Sequence, residues 1–298
     1  MTVDNLPARP TPRDAIAAQV MAFLHCEGAG EVGHAGARTL LAHLVGTYEV
    51  VRRWEQPDVV AHASLIHSVY GTDVYARPLL QLTRRHELTS LVGAQAERLA
   101  YLFSVTPRDP LFAGTHVWLR DPPQRAVGAR DIAADPPAGR DESDALIVLH
   151  MANLAEQAQA GDGRPGVWLA KLRQLAEVVV ASDAVTLPVF LAELATFTAA
   201  DEALTRDLYR AGLAEGDGLD KRRNRLALAA ATCPVVSEPC IWLAHLSQCR
   251  RDLVGATWWA RSAQRRLLKL GTAWDKRLTF DEWSQLARRL ERPGDDAG

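Results

Sequence analysis

The stretch LLAHLVGTYEVVRRWEQPDVVAHASLIH, residues 40–67, decides the fold class of this 298-residue chain. Its apolar residues recur at spacings of three and four, which is the period of a helix that buries one face. Pro57 ends the first apolar stripe, and a second stripe begins at Val59. The same period runs through most of the chain, and alternation of β-branched residues is never sustained. The sequence therefore predicts an all-α protein.

The composition is typical of a globular protein with a sizeable core. Hydrophobic residues make up 48% of the chain and charged residues 23%, a balance that excludes global disorder. The 34 Lys and Arg against 36 Asp and Glu give a net charge of −2. This charge argues against a nucleic-acid partner, because phosphate neutralisation needs a basic excess.

Membrane insertion and secretion are not expected either. No apolar run approaches the length of a membrane span, and the N-terminal residues lack the apolar segment of a secretory signal. The four cysteines form no dense framework, which favours reduced thiols. We therefore expect a cytoplasmic protein.

Breaks in the helical pattern predict the domain organisation. Residues 1–14 and 291–298 are expected to be tails. Between them we expect a helical domain over 15–160 and a C-terminal helical subdomain over 167–290. Two Pro-Pro pairs in RDPPQRAVGARDIAADPPAGRD, residues 120–141, predict a loop that can act as a mobile lid.

Three local features refine this organisation. Thr89 or Ser90 is expected to cap the start of a helix. In the C-terminal part, residues 238–271 predict two antiparallel helices joined near 251–254. The run GTAWDKRLTFDEW, residues 271–283, is expected to form a charged turn between tryptophans. That turn can be a structural corner or the wall of a cleft for an anionic ligand.

Histidines concentrate in the stretch that decides the fold. His34, His43, His62 and His67 lie within 34 residues, and imidazole is both a common metal ligand and a common general base. His43 lies on the apolar stripe of one helix, and His67 ends the apolar run ASLIH. Both are therefore predicted to be buried, where each ring nitrogen needs a partner. Each histidine can alternatively be an ordinary packed core residue.

The order of these residues resembles the HD-domain superfamily of metal-dependent phosphohydrolases. In that family a histidine on one helix precedes a His-Asp pair at the end of a later helix, and a second Asp follows on another helix. Here His43 opens H-L-V-G-T-Y-E-V-V, His67 ends A-S-L-I-H, and L-H-M-A-N-L-A-E-Q places Asn153 at the position of the later Asp. The resemblance implies an HD-like core over roughly residues 34–157, with His43 and His67 as metal ligands.

Two further runs carry the resemblance. L-V-G-A-Q-A-E-R-L-A, residues 91–100, is similar to a helix of the stringent-response guanosine tetraphosphate hydrolases. H-S-V-Y-G-T at 67–72 and G-T-A-W-D-K-R at 271–277 resemble runs of an uncharacterised HD-like family.

The departures from the HD pattern fall on the metal ligands. Ser68 and Asn153 stand where the family has its two aspartates, so a Mg²⁺ site of the usual kind would be weakened. Additional imidazoles would favour Fe or Zn, with Mn as a further candidate. We expect His34, His62 and Glu97 to act as catalytic groups. The side chains expected to contact the substrate are Ser68, Asn153, Arg84 and Arg85.

Two functional hypotheses follow. The first is a metal-dependent HD-like enzyme that acts on a small polar substrate, either hydrolysing a phosphate ester or using bound O₂ for oxygenation. The second is a non-catalytic binding or scaffold protein that kept the helical fold and lost the metal. Self-association into a homo-oligomer is left open by the sequence.

Overall fold

The structure is a computed structural model that describes residues 12–34, 38–72, 77–106, 138–157, 164–214 and 216–292. Across these ranges the chain is all-α, as predicted. The described residues contain no β-strand, and their only sheet-like contacts are two isolated bridges, Gly33 to Thr39 and Ser182 to Val185.

In the described ranges, six helices form the N-terminal part. They are α1 (Pro12–Cys26), α2 (Leu40–Arg53), α3 (Asp58–Ile66), α4 (Arg85–Val92), α5 (Ala94–Val105) and α6 (Arg140–Gln157), with a 3-10 turn at Leu82–Arg84. The helix α6 is central, because every residue from Ser143 to Asn153 is buried, so all faces of the helix are covered. It packs against α2, α3 and α5, and α3 also packs against α2 and α5.

The C-terminal part continues as a series of neighbouring helices. They are α7 (Leu169–Ala176), α8 (Ala199–Leu213), α9 (Leu219–Thr232), α10 (Glu238–Cys249), α11 (Leu253–Leu270) and α12 (Phe280–Glu291), with a 3-10 helix at Val189–Leu194. From α8 onward each helix packs on the next. The predicted hairpin of α10 and α11 is present, with its turn at residues 250–252.

The two parts share one hydrophobic cluster and are tied by side-chain hydrogen bonds. The indole Nε1 of Trp54, at the end of α2, donates to the Leu270 carbonyl at 2.8 Å. Gln56 Nε2 donates to the Thr186 carbonyl at 2.6 Å. The C-terminal helices therefore brace the N-terminal helices that carry the predicted site.

The boundaries need three corrections. The helix α1 begins at Pro12, within the expected tail, and α6 begins at Arg140, within the expected loop. Thr89 and Ser90 do not cap a helix start: both lie inside α4, where their hydroxyls donate to carbonyls one turn earlier. Gly93 separates α4 from α5 with a φ of 85°, a conformation that L side chains rarely adopt.

Other predictions fall outside the described residues. These are most of the proposed lid, residues 120–137, and the tails at 1–11 and 293–298.

No helix in the described ranges combines the length and the apolar character that a bilayer crossing requires.

Candidate functional site

Three helices bring four buried polar side chains together. His43 lies on α2, His67 directly follows α3, and Asn153 and Glu156 lie one turn apart on α6. These four residues are here called the histidine cluster, and none is more than 5% exposed. Buried polar groups are costly unless they bond to one another, so the internal contacts of the cluster determine what it can do.

The two imidazoles of the cluster face each other. Nε2 of His43 lies 3.1 Å from Nε2 of His67, and the rings meet edge to face with centroids 5.0 Å apart. Asn153 Oδ1 lies 3.1 Å from the same Nε2 of His67. The structure thus brings together the three side chains that the motif order singled out, while their role as metal ligands stays a prediction.

The remaining nitrogen of each imidazole is anchored by an acceptor. His43 Nδ1 lies 2.6 Å from Glu156 Oε2, and His67 Nδ1 lies 2.7 Å from the Ser64 carbonyl oxygen. A carbonyl or a carboxylate can only accept, so each Nδ1 must carry the hydrogen. In a neutral imidazole this leaves a lone pair on Nε2.

Two neutral rings held in this way would bring two Nε2 lone pairs within 3.1 Å of each other. That distance is a normal hydrogen-bond length, at which a shared proton or metal ion would relieve the repulsion between the lone pairs. A proton on one ring satisfies both of them. A metal ion also fits, because two imidazole nitrogens bound to one ion are about 3.0–3.4 Å apart when each metal–nitrogen bond is about 2.1 Å.

The carboxylate of Glu156 has further partners besides His43. Arg38 forms an ion pair with it. Burial raises the pKa of Glu156, but the hydrogen bond from His43 and the charges of His43, Arg38 and Lys276 outweigh burial and lower it. Glu156 is therefore a carboxylate at neutral pH. A glycine on α2 makes room for it, since a Cβ at Gly46 would lie 2.6 Å from Glu156 Oε1.

Lys276 approaches the cluster from the C-terminal part. Its Nζ donates to the Ala155 carbonyl at 2.7 Å and to Thr272 Oγ1 at 2.7 Å. Burial lowers the pKa of Lys276 to about 8, although the nearby charges of Glu156 and Glu238 oppose that shift. Lys276 lies in the expected charged turn, and its ammonium group points inward to the carbonyl of Ala155 on α6.

The other residues of the turn form a structural corner, which is one of the two arrangements expected from the sequence. Asp275 pairs with Arg277, and the Trp283 indole donates to the Asp275 carbonyl at 2.8 Å. Tyr209 Oη donates to the same Asp275 carboxylate at 2.7 Å. These contacts tie the start of α12 to α8.

Aromatic rings surround the two central histidines. His34 stacks on His43 with centroids 4.2 Å apart, and Phe103 meets His67 edge to face at 4.7 Å. Phe103 also stacks on His150 at 4.0 Å. His34 therefore touches the cluster, and its predicted catalytic role stays a prediction.

The other predicted site residues take different positions. His62 is buried within α3, and Ser68 is buried immediately after His67. Glu97 accepts hydrogen bonds from Arg85 at 2.7 and 2.8 Å and from Tyr70 Oη at 2.8 Å. The roles proposed for His62, Ser68, Glu97 and Arg85 stay predictions.

Arg84 is engaged by two carboxylates near the protein surface. It bonds Glu27 at 2.7 Å and Glu87 at 2.6 and 2.7 Å. A substrate anion would have to compete with both carboxylates for this guanidinium. Substrate binding by Arg84 also stays a prediction.

Sequence reasoning did not assign Glu156, Arg38 or Gly46 to the site, and it did not connect Lys276 with these residues. Two signals were available: Glu156 is three residues after Asn153 on the same helix face, and Gly46 is a glycine in a helix interior three residues after His43. Among the described residues, no group of three or more His, Cys, Asp or Glu side chains is arranged to hold a metal ion. The cluster instead combines two imidazoles with an amide.

Comparison with protein families gives a match over part of the chain. Residues 23–108 match the model of a family described as a domain of unknown function (DUF6817). The matched segment contains His43 and His67 and ends before α6, which carries Asn153 and Glu156. No curated protein and no solved structure matches the chain.

Proposed function

We propose that this chain is a metal-dependent enzyme of the HD type that acts on a small polar substrate. The observation that carries the proposal is the 3.1 Å approach of two imidazole Nε2 atoms whose Nδ1 atoms are anchored. A histidine that bonds a carboxylate or a carbonyl through one nitrogen and offers the other is typical of metal sites. His43 and His67 both have this arrangement.

The donor set fits a borderline metal better than a hard one. His43 and His67 would hold the ion through Nε2, with the Asn153 Oδ1 atom beside them. Imidazole suits Fe²⁺ and Zn²⁺, whereas Mg²⁺ and Mn²⁺ prefer carboxylates and water. When bound, such an ion supplies Lewis acidity and a water or O₂ ready for reaction.

The residues around the cluster prepare it for this chemistry. Glu156 keeps the proton of His43 on Nδ1, and the Ser64 carbonyl does the same for His67. Phe103 packs against the edge of the His67 ring and excludes water from that side. Zn²⁺ has no redox chemistry and would support only hydrolysis of a phosphate ester, whereas Fe²⁺ would support either hydrolysis or oxygenation.

A second candidate function is that of a non-catalytic helical scaffold. The local charge favours it: Arg38 and the partly buried Lys276 both add positive charge beside Glu156. That charge opposes a dication, whereas a single proton shared by the two imidazoles would satisfy every nitrogen of the pair. In this candidate the histidines stabilise the fold only.

Metal analysis of the full chain, purified without chelator, tests the proposal. We expect close to one Fe or Zn per chain in the parent and none in His67→Ala, with helical content retained by circular dichroism. His86→Ala changes an exposed histidine on α4 and should retain the metal. A metal-free parent that also takes up no added Fe²⁺ or Zn²⁺ would refute the enzyme proposal.

Asn153→Asp tests the site through a gain of metal affinity, so the result does not depend on removing a side chain. It places a carboxylate beside His67, so Mn²⁺ affinity should rise by at least about tenfold, because a hard cation prefers a charged oxygen. Isothermal titration of parent and variant measures this change. Equal and undetectable binding in both proteins would support the scaffold candidate.

A further inference from the structure

The outward face of α11 carries a straight stripe of exposed side chains. Val254, Trp258, Arg261, Arg265 and Leu268 follow at spacings of four, three, four and three residues. Val254 is 83% exposed, Trp258 56% and Leu268 63%. These spacings are the heptad pattern of a helix that packs lengthwise on another helix.

The opposite face of α11 is fully used inside the protein. It packs against α10 and α12 through residues that are all buried, Ala256, Ala260, Ala263, Leu267 and Leu270. The stripe is therefore a second contact face, separate from the core. Large apolar side chains aligned on one exposed face mark interaction sites more often than isolated ones do.

A concavity runs beside the stripe. It has a volume of about 570 Å³, and its lining comprises Leu253, Val254, Thr257, Trp258, Arg261 and Arg265. Such a groove can receive the side chains of a second helix, as packing of ridges into grooves requires.

We propose that this stripe joins two copies of the chain, with the α11 helices antiparallel about a dyad midway between Trp259 and Ala260. In this register Trp258 of each copy meets Arg261 of the other, and Val254 of each copy meets Arg265 of the other. A two-fold interface needs such a self-complementary patch. A guanidinium over an indole face is a favourable contact, and the aliphatic stem of an arginine packs well on valine.

Charge selects this register over its alternatives. A parallel pairing would set Arg261 against Arg261 and Arg265 against Arg265. An antiparallel pairing shifted by half a heptad would set Arg261 against Arg265. In the proposed register no arginine of the stripe is level with another, and the two Arg261 positions are about 4.5 Å apart along the helix axis. Each Arg261 is already paired with Glu291 of its own chain, with Nε and Oε1 2.8 Å apart.

The size of the contact predicts a weak dimer. The 18 residues of α11 extend for about 27 Å. A single helix pair of this length buries roughly 500 Å² per copy, below the roughly 800 Å² per partner of standard complexes. We therefore expect a reversible dimer that forms only at high protein concentration.

Analytical ultracentrifugation of the full chain over a wide concentration range tests the proposal. The parent should shift from monomer to dimer as its concentration rises, and Trp258→Ala should weaken the association at least tenfold. Leu228→Ser is the matched control, because it removes a comparably exposed leucine from α9 and should change nothing. A parent that stays monomeric at millimolar concentration, or a Trp258→Ala variant that associates like the parent, would overturn the proposal.

Cross-linking tests the register in a background where the exposed Cys26 and Cys249 are replaced by serine. A mixture of Val254→Cys and Arg265→Cys proteins should form a disulfide-linked heterodimer. The Val254→Cys protein alone should not cross-link, because its two thiols would lie more than 10 Å apart along the paired helices. Efficient cross-linking of the Val254→Cys protein to itself would overturn the antiparallel arrangement.

Discussion

Replacing Gly46 by alanine tests how tightly the carboxylate of Glu156 is held against α2. The added Cβ would lie 2.6 Å from Glu156 Oε1 and 3.1 Å from Arg38 Nη2. The carboxylate would have to move, and its other oxygen is the one bonded to His43 at 2.6 Å. The substitution is therefore expected to pull Glu156 away from His43.

The sign of the change in the free energy of unfolding tests whether Gly46→Ala displaces Glu156. Alanine in place of glycine in a helix interior stabilises by about 0.5–1 kcal/mol when nothing obstructs it. Loss of a buried hydrogen bond to a charged group costs about 1.5–3 kcal/mol. The ion pair with Arg38, which is 39% exposed, contributes less than about 1 kcal/mol. We expect Gly46→Ala to lower the free energy of unfolding by about 1–2 kcal/mol.

A double-mutant cycle isolates the contact. When Glu156 is first replaced by alanine, the obstruction is gone, so the same Gly46→Ala change should stabilise by about 0.5–1 kcal/mol. The two effects then differ by about 2 kcal/mol, well above the error of urea unfolding followed by circular dichroism. Nitrogen chemical shifts of His43 give a second measurement, because loss of Glu156 removes the acceptor that fixes the hydrogen on Nδ1. Stabilisation by Gly46→Ala in both backgrounds would refute the reasoning.

Two further predictions concern buried charges in the C-terminal part. Burial lowers the folded-state pKa of Lys276 to about 8 from 10.5, so the unfolded chain binds more protons in that interval. The free energy of unfolding should therefore rise by about 1 kcal/mol more between pH 7 and pH 9 in the parent than in Lys276→Met, and a pH-independent difference would contradict this. Glu202 accepts three backbone N–H bonds of 2.6–2.9 Å from residues 168–170 at the start of α7. Glu202→Gln replaces one acceptor oxygen by a donor and should destabilise by about 2 kcal/mol in urea unfolding, whereas unchanged stability would show that these bonds contribute little.

Apolar spacing was sufficient to predict two of the three helices that build the site. The stripes around His43 and His67 correspond to α2 and α3, and Pro57 lies at their junction. Asn153 came from motif order alone, because its contact with His67 joins residues 86 positions apart. Such long-range pairs follow from helix packing, which local periodicity does not describe.

The wrong prediction of a helix start at Thr89 or Ser90 has a local cause. Thr89 and Ser90 favour helix starts because their hydroxyls can accept from the first free N–H groups. In α4 the same hydroxyls donate to carbonyls one turn earlier, and the positive φ of Gly93 sets the helix boundary. The inward contact of Lys276 was not predicted, because its carbonyl partner, Ala155, is 121 residues away.

The two functional candidates differ in what lies between the Nε2 atoms of His43 and His67. Both a proton and a metal ion satisfy the lone pairs, and both would be held more tightly if a carboxylate replaced the amide of Asn153. Asn153→Asp therefore strengthens the cluster under either candidate, so a rise in stability alone cannot distinguish them. Only a bound ion adds measurable metal and makes the gain depend on which cation is supplied. Stability of the variant with and without added Mn²⁺ is for this reason the comparison that separates an enzyme from a scaffold.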